Sequence, residues 1–422
     1  MTFSSAARNR EVILHIMHTG SYPADFKNIK KILVMKLRHI GDVLLTVPVF
    51  RALRENFSDA HIAALVNSGT EEVLKGNPLI DEIIIFDRNI KKMNPVRRYT
   101  KELSFLRTVK RKGFDMTVEL SGSDRAAILS FLSGACCRIG WKSKRGFVGK
   151  RCLYTHLSKP DKKRHMVLEN LDIVRQFGVG TENLSVDFHV PEEDRKWVRK
   201  ILEENNLSLS RFSEGGNRGL RNIVVHVHPT SRWLFKCWRD EYMAEIVRWF
   251  LDRRITVIVT SSPDEQELDK AKRILSLVSS RHSGDNSRLI DLCGKTTIKQ
   301  LGAVSLAADL FFGVDTAPMH IAAAVGTPVV AIFGPSPTFN WGPWDNENSK
   351  FITQNSNSRT PYFQRNGIQT FGMHTVIQRE LECIPCGKAS CKGGKIYKCL
   401  EDIKPEEIKN IIAKKLEDTG VL

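Results

Sequence analysis

The chain has 422 residues and a mass of 47.8 kDa, enough for two domains that each have a hydrophobic core. With 41% apolar and 26% charged residues, its composition is that of a folded globular protein and excludes wholesale disorder. A formal charge of +17 favours an anionic partner, such as nucleic acid, a phosphorylated ligand or an acidic membrane surface. Because no apolar run is long enough to cross a bilayer and no export signal is recognisable, we expect a cytoplasmic protein.

Short apolar runs alternate with segments of helical periodicity along the chain. In the first half the predicted strands are 32–36, 60–66, 83–86 and 116–120, and the predicted helices are 43–56, 71–75, 125–132, 167–177 and 193–204. In the second half the predicted strands are 223–227, 256–260, 288–291, 310–314 and 329–333, and the predicted helices are 241–252, 265–277, 298–307 and 317–325. Because parallel strands need crossover helices, this order predicts an α/β protein with two Rossmann-like domains in tandem.

A stretch rich in Ser, Gly, Asn and Arg separates the two halves and is the predicted linker. The predicted organisation is an N-terminal extension, a first domain, this linker, a second domain and a C-terminal helical segment, at residues 1–28, 29–207, 208–221, 222–403 and 404–422. Ligands of such sheets bind at the carboxyl ends of the strands, so the cleft between the two domains is the expected site.

Residues 88–165 carry 21 Lys or Arg and five Asp or Glu, a net charge of +16. Nearly all of the excess positive charge therefore lies in one segment. Because the segment contains a predicted strand and helix, we expect it to be folded and to bind an anionic partner. A merely solvated surface is the alternative.

The first candidate motif, Arg38 to Asp42 (RHIGD), follows the first predicted strand and opens a helix. A carboxylate at this turn lies at the carboxyl end of the sheet, where it can take a proton from an attacking hydroxyl. The alternative is that Asp42 only caps the helix, a common role for Asp. Spacing alone does not choose between these roles.

The second candidate motif, residues 228–238 (HPTSRWLFKCW), follows the first strand of the second half. Thr230 and Ser231 supply hydroxyls, and Arg232 and Lys236 supply positive charge, a combination that suits a diphosphate. A solvated loop with packed tryptophans is the alternative. We favour the functional interpretation because these groups converge at one strand end.

The third candidate motif, residues 313–320 (GVDTAPMH), joins another strand to a helix. Thr316 is a favourable N-cap and Pro318 is tolerated in the first turn, so the first backbone N–H groups and the helix dipole form an anion site. A structural cap, with His320 buried in the helix, explains the motif equally well. Two such sites facing one crevice favour an anion-binding function more strongly than either motif alone.

Four of the nine cysteines, Cys383, Cys386, Cys391 and Cys399, have the spacing C-x2-C-x4-C-x7-C. Four thiolates can hold a structural zinc ion. Reduced thiols in a turn are the alternative, because this spacing is not that of the common zinc ribbons.

The chain lacks the dinucleotide-binding glycine fingerprint, the P-loop lysine motif, the zincin helix and the serine-hydrolase elbow. Instead, residues 31–48, 229–238, 315–320 and 333–335 together resemble the ADP-heptose:lipopolysaccharide heptosyltransferases, glycosyltransferase family nine. The resemblance covers roughly residues 30–415, and the 229–238 segment is most similar to the third type within the family. Ala317 stands where the family usually has glycine, which adds a methyl group near the phosphates.

The resemblance implies the GT-B fold, with two facing Rossmann-like domains, a cleft between them and a C-terminal helix that crosses back to the first domain. It implies an inverting transfer of heptose from ADP-L-glycero-D-manno-heptose that needs no metal or cofactor. Asp42 would deprotonate the acceptor hydroxyl, which attacks the anomeric carbon as ADP leaves.

The resemblance also assigns the donor site. The positions that match the diphosphate and ribose side are Thr230, Ser231 and Lys236. Glu265 matches the carboxylate that holds the ribose, and Thr296 falls where the family backbone contacts adenine. The residues that fall on the heptose and phosphate site are Asp315, Thr316, Ala317 and His320.

The implied acceptor is the phosphate-bearing inner core of lipopolysaccharide, which the basic segment would bind together with the cytoplasmic face of the inner membrane. We therefore expect a cytoplasmic protein, peripheral at that membrane. Charge alone also suits a nucleic-acid-binding module, but no recognition motif supports it and we expect no nucleic-acid partner. The motifs are also compatible with a related transferase that uses another nucleotide sugar, and with a non-catalytic scaffold of envelope assembly.

Overall fold

The computed structural model describes residues 26–143, 146–205, 222–281, 287–350, 352, 361–389, 391 and 397–418. Residues 1–25 of the predicted extension and the whole predicted linker lie outside this range. Contacts divide the chain into two units, the first ending at Val186 and the second beginning at Asp187.

The first unit is built on a parallel sheet. Its strands β1 to β6 are Lys31–Lys36, His61–Asn67, Glu82–Phe86, Met116–Glu119, Cys137–Trp141 and His156–Ser158. Within the described residues, the strand order is β3-β2-β1-β4-β5-β6 and every pairing is parallel. Five of the six residues of β1 are buried, as expected of a central strand with both faces covered. Strands β5 and β6 were not predicted, since both are short and carry polar residues.

Helices cover this first sheet. Helices α1 to α5 are Ile40–Leu44, Val47–Asn56, Pro95–Arg111, Asp124–Leu132 and Met166–Arg175, and short 3-10 helices lie at Glu71–Val73, Arg88–Lys92 and Lys150–Leu153. The sequence predicted one helix over 43–56, whereas the structure has two. Pro48 lies in the first turn of α2, and in a continuous helix its ring would clash with the carbonyl of Leu44, the last residue of α1.

Helix α3 lies in the basic segment and was not predicted. Its N-cap is Asn94, whose side-chain Oδ1 accepts from the backbone N–H of Arg97 at 2.9 Å. Its inner side packs Phe105, Leu106 and Val109 against the core of the first unit. The basic segment is therefore folded, as the sequence predicted.

The second unit is built on a larger sheet. Its strands β7 to β13 are Val224–His228, Thr256–Val259, Leu289–Asp291, Leu310–Val314, Val329–Ile332, Ile368–Phe371 and His374–Ile377. In the described ranges the order is β12-β13-β11-β10-β7-β8-β9, and β12 alone pairs antiparallel, with β13. The strands predicted from 223 to 333 are all present, and the β12-β13 hairpin was not predicted.

Helix α6, Glu192–Glu204, belongs to the second unit, although the sequence placed residues up to 207 in the first domain. It packs against helix α9, Ile298–Ala307, and Lys299 Nζ of α9 donates to the carbonyl of His189 just before α6 at 2.7 Å. The composition of residues 208–221 indicates a loop, but the packing of α6 against α9 determines which unit the helix belongs to. The helices α6 to α13 are Glu192–Glu204, Asp240–Asp252, Glu265–Arg281, Ile298–Ala307, Ala317–Ala324, Thr338–Trp341, Lys398–Glu401 and Pro405–Asp418, with a 3-10 helix at Leu234–Lys236.

Helix α13 packs on α7 of the second unit, and Lys409 Nζ donates to Glu245 at 2.8 Å. Just before it, the carbonyls of Leu400 and Ile403 accept from Trp238 Nε1, each at 3.2 Å. These contacts lie within the second unit, and the crossing to the first domain that the resemblance implies stays a prediction. The residues that α13 adds to the core of the second unit are Ile408, Ile412 and Leu416.

Two units, each with a largely parallel sheet and crossover helices, confirm the predicted α/β class. Over the ranges given above, no helix combines the length and the apolarity needed to cross a membrane.

Candidate active site

Asp42 lies directly after β1, at the carboxyl end of the first sheet, where the sequence predicted it. It is half-buried in the first turn of α1, and the N-cap residue of that helix is His39. Asp42 is therefore not the capping residue, which removes the simplest structural explanation for its presence.

Lys36, the last residue of β1, carries a buried ammonium group. Its Nζ donates to the carbonyl of Leu120 at 3.1 Å and to Asn170 Oδ1 at 2.8 Å. Burial lowers the pKa of Lys36, and the negative charge of Asp42 is the largest influence in the opposite direction. Lys36 is therefore a buried cation whose electrostatic partners include Asp42.

The loop after β4 holds the residues that lead to Asp42. Leu37 N donates to Ser121 Oγ at 2.7 Å, and Arg38 Nε and Nη2 donate to the carbonyl of Ser121 at 3.1 and 2.6 Å. This loop is anchored by the Glu119 carboxylate, which accepts from Ser121 N at 2.7 Å and Gly122 N at 3.1 Å. The guanidinium group of Arg38 is therefore held against the loop after β4.

In the second unit, Thr230 and Ser231 are buried in the loop after β7. Thr230 Oγ1 donates to Glu267 Oε2 at 2.8 Å, and Glu267 is a buried residue in the first turn of α8. Ser231 Oγ accepts from Trp233 N at 3.3 Å. Arg232 is exposed, with its guanidinium carbon 5.8 Å from the centre of the Trp233 ring. Both hydroxyls are held in place, whereas the arginine is accessible to a ligand.

Lys236 and Asp315 join the second and third sequence motifs. Lys236 Nζ donates to Asp315 Oδ2 at 2.6 Å. Lys236 follows β7 and Asp315 follows β10, and these strands are parallel neighbours. Gly313 permits this close pairing, since a Cβ atom there would lie 2.6 Å from the carbonyl oxygen of His228. The two motifs predicted to bind an anion therefore meet in one site.

Helix α10 begins at Ala317, with Thr316 at the N-cap and Pro318 in the first turn. The Thr316 hydroxyl makes no capping hydrogen bond within the described residues, which differs from the predicted cap. A helix end without a side-chain cap leaves its first N–H groups to water or a ligand. His320 is buried, with its ring centroid 6.5 Å from that of Trp341.

The sequence profile of glycosyltransferase family 9 (heptosyltransferase) matches residues 102–368, more than half of the chain. The chain belongs to glycosyltransferase family 9. It is therefore an enzyme of the heptosyltransferase class, as the sequence motifs predicted.

Relatives in family 9 match most of the chain. Lipopolysaccharide heptosyltransferase 3 of Escherichia coli is 30% identical over 317 residues, which cover 75% of this chain and 86% of that protein. Lipooligosaccharide heptosyltransferase 2 of Campylobacter jejuni is 25% identical over 370 residues, which cover 87% of this chain and 93% of that protein. The first match agrees with the type indicated by the 229–238 segment.

Solved family 9 structures share the fold. The glycosyl transferase family 9 structure from Veillonella parvula matches with a TM-score of 0.69 at 21% identity, covering 92% of this chain and 97% of that one. The E. coli ADP-heptose lps heptosyltransferase II matches with a TM-score of 0.65 at 18% identity, covering 92% and 99%. These matches confirm the GT-B class, with two Rossmann-like units.

Two of the donor residues assigned by resemblance to family 9 lie apart from this network. Glu265 is exposed at the start of α8, and Thr296 is half-buried before α9. In the part of the chain that the structure describes, no hydrogen bond links either residue to the remaining donor residues. The carboxylate that contacts Thr230 is Glu267, on a different side of α8 from Glu265.

Sequence reasoning missed the buried charged residues Lys36, Glu119 and Glu267. Lys36 and Glu119 are the last residues of two buried strands. A charged residue at the end of an apolar run was the sequence signal that could have identified them. Burial raises the pKa of Glu119, which also accepts from Tyr154 OH at 3.0 Å. A buried charge costs free energy unless an opposite charge or hydrogen bonds compensate it. Buried charged residues of this kind are therefore candidates for a specific structural or functional role.

The four C-terminal cysteines are free thiols, of which Cys399 is buried and Cys383 is exposed. Burial raises the pKa of the Cys399 thiol to about 12, and the neighbouring Cys391, Cys386 and Cys383 add to the rise. Among the described residues of this family 9 enzyme, no group of three or more His, Cys, Asp or Glu is placed to hold a metal ion. The predicted zinc site is not confirmed.

Proposed function

We propose that this family 9 glycosyltransferase transfers heptose from ADP-L-glycero-D-manno-heptose to the inner core of lipopolysaccharide. The observation that carries the proposal is the Lys236–Asp315 contact of 2.6 Å, which unites both anion-binding motifs in one donor site. The identity of the sugar and of the acceptor rests on the relatives, because the E. coli protein at 30% identity is a lipopolysaccharide heptosyltransferase.

The donor diphosphate binds between the loop after β7 and the N-terminus of α10. Lys236 has three N–H donors, so it can bind a phosphate oxygen and keep its contact with Asp315. The exposed Arg232 adds a second cation, and Thr230 and Ser231 add hydroxyl groups. Hydroxyls, cations and a helix N-terminus are the groups that phosphate oxygens require.

The two ends of the donor contact the residues that the resemblance assigns. Glu265 is exposed, so its carboxylate is accessible to a ribose diol, and the backbone of Thr296 lies near the adenine. Glu267 acts indirectly by orienting Thr230. The residues proposed for the heptose and its phosphate are Asp315, Thr316, Ala317 and His320.

Asp42 is the proposed general base. Its carboxylate takes the proton of the acceptor hydroxyl while the hydroxyl oxygen attacks the anomeric carbon. The bond from that carbon to the diphosphate oxygen breaks, and ADP leaves with the electron pair. Attack on the face opposite ADP inverts the anomeric centre. Lys236, Arg232 and the N-terminus of α10 offset the charge on ADP, so the proposed transfer uses no metal ion or cofactor.

The acceptor side of the proposal rests on the basic segment 88–165. Its cations bind the phosphates of the inner core and hold the enzyme peripherally at the cytoplasmic face of the inner membrane. Nucleic acid is not a proposed partner.

The test is release of ADP from ADP-heptose in the presence of purified, truncated lipopolysaccharide core. We expect Asp42→Asn to lower acceptor-dependent release by about 100-fold or more. Asp59→Asn, at an exposed turn of the same unit, is the matched control and should retain activity.

No ADP release by the wild-type enzyme with any core acceptor would overturn the proposed reaction. Release from another nucleotide sugar would then identify a related transferase, and release from none would favour a non-catalytic scaffold. Equal activity of Asp42→Asn and wild type would remove Asp42 as the base.

A further inference from the structure

The basic segment of the first unit exposes many large apolar side chains. Of the 13 large apolar residues exposed among the described residues, eight lie between positions 96 and 148. They belong to helix α3, to helix α4 and to the loop before the 3-10 helix Lys150–Leu153. The eight residues are Val96, Tyr99, Leu103, Ile128, Phe131, Leu132, Phe147 and Val148.

Helix α3 carries an apolar stripe on its outer side. Val96, Tyr99 and Leu103 have exposed fractions of 74%, 71% and 36%, and their spacing of three and four residues places them on one face. The opposite face carries Phe105 and Val109, which pack into the core. Val96 and Tyr99 therefore contribute little to the packing of the first unit, Leu103 is partly covered, and the exposure of the stripe to water is unfavourable.

The same helix is strongly cationic. Its one acidic residue, Glu102, is paired with Arg98 at 3.4 Å and with Arg125 of α4 at 3.1 Å. The outer side of α3 therefore presents apolar and positively charged groups together. All six basic residues of the helix are exposed: Arg97, Arg98, Lys101, Arg107, Lys110 and Arg111.

The three apolar segments adjoin one another. The Arg125–Glu102 ion pair connects α4 to α3, and Asp124 of α4 lies 3.2 Å from Lys150, which follows the loop that carries Phe147 and Val148. The eight apolar side chains thus lie on neighbouring elements, and helical spacing places Arg107, Lys110 and Arg111 beside the stripe of α3. We call the surface formed by these residues the α3 face.

We propose that the α3 face docks on an anionic lipid bilayer. An interfacial helix inserts apolar side chains at the boundary of the acyl chains while its cations contact the headgroups, and the α3 face supplies both. Five of the eight apolar residues are aliphatic and offer nothing to stacked bases, so a bilayer explains the surface as a whole better than nucleic acid does. The proposal deepens the proposed function, because it names the surface that brings the enzyme to a membrane-bound acceptor.

The test measures sedimentation of the full chain with vesicles of phosphatidylethanolamine and phosphatidylglycerol, and with vesicles of phosphatidylcholine alone. The triple variant Val96→Ser, Tyr99→Ser, Leu103→Ser removes the stripe and keeps every charge. We expect it to bind the anionic vesicles about tenfold or more weakly. The matched control is Phe363→Ser with Ile368→Ser, two apolar residues exposed in the second unit, and it should bind like wild type.

A second variant tests the charge. Arg107→Gln with Lys110→Gln is expected to weaken binding roughly 30-fold, since each cation near an anionic surface contributes about fivefold. Lys196→Gln with Lys200→Gln, at exposed positions of α6, is its control. Binding of the wild-type protein should fall as salt is added and should be weak on phosphatidylcholine.

Wild-type binding by the triple variant would overturn the proposal. Tighter binding of the wild-type chain to a DNA or RNA duplex than to anionic vesicles, lost only in the charge variant, would also overturn it. Transfer to a water-soluble, delipidated core acceptor separates this proposal from the proposed function. The triple variant should keep activity on the soluble acceptor and lose activity on acceptor embedded in vesicles. If the proposed function is wrong, the wild-type protein will catalyse neither reaction.

Discussion

Thr230 and Glu267 form a buried hydrogen bond of 2.8 Å across 37 residues of sequence. The bond ties the loop after β7 to the first turn of α8, so the Thr230 hydroxyl has a fixed direction before any donor binds. Fixing the hydroxyl of a residue in the proposed donor site in advance lowers the entropy lost on binding.

Replacement of Glu267 and of Glu265 should have different effects. Glu267→Ala removes the partner of a buried hydroxyl, which costs about 1–3 kcal/mol of stability and weakens ADP binding. Glu265→Ala, at an exposed position, should leave the melting temperature unchanged and weaken ADP binding roughly tenfold through the ribose. Thermal unfolding and ADP titration separate the two. Equal melting temperatures for both variants would contradict the indirect role of Glu267.

Lys236→Met should damage both binding and stability. The substitution removes a proposed diphosphate ligand and leaves the Asp315 carboxylate buried without its ammonium partner. We expect kcat/KM for ADP-heptose to fall about 100-fold and the unfolding free energy to fall by about 2–3 kcal/mol. Lys295→Met is the control, because its 3.8 Å pair with Asp291 is largely exposed and contributes roughly 0.5 kcal/mol or less. Similar losses in the two variants would show that Lys236 has no special role.

Lys36→Met tests the structural role of the buried cation. The substitution leaves Asn170 Oδ1 and the carbonyl of Leu120 without this donor, so the unfolding free energy should fall by about 1–3 kcal/mol. Lys27→Met, at an exposed position, is the control and should unfold like wild type. Urea unfolding measures both, and equal stability of the two variants would contradict a structural role for Lys36.

His228 should make stability depend on pH. Burial lowers its pKa to about 3 from an ordinary 6.5, and its Nδ1 lies 2.8 Å from Thr260 Oγ1. Between these values the unfolded chain binds the proton and the native protein does not, so stability should rise with pH across this window. His228→Asn should reduce that rise by on the order of 5 kcal/mol, measured by urea unfolding at several pH values. His189→Asn, at an exposed position, should leave the wild-type dependence intact.

Strand ends were predictable from the sequence. A strand buried on both faces is apolar along its length, so the first polar residues after it mark the carboxyl edge of the sheet. Asp42 follows such a strand in the first unit, and Asp315 follows one in the second. The contact between Lys236 and Asp315 spans 79 residues and requires β10 to lie beside β7. The alternation of strands and helices does not specify that order, so the pairing could not be predicted.

Helix α3 and the unit boundary were missed for different reasons. Apolar residues occur on both sides of α3, Phe105 inside and Val96 outside, which blurs the helical pattern. The boundary after Val186 depends on the packing of α6 against α9. The amino-acid composition does not indicate which helices pack together.

The hydrogen bonds from Trp238 to the carbonyls of Leu400 and Ile403 have a consequence for the folding of the second unit during synthesis. Trp238 closes the loop that carries Thr230 and Lys236, and its partner Leu400 is synthesised 162 residues later. This loop therefore leaves the ribosome long before the residues that anchor it. During synthesis the first unit can fold while the proposed donor site is still incomplete, so we expect the site to bind its donor only after the last part of the chain has been made.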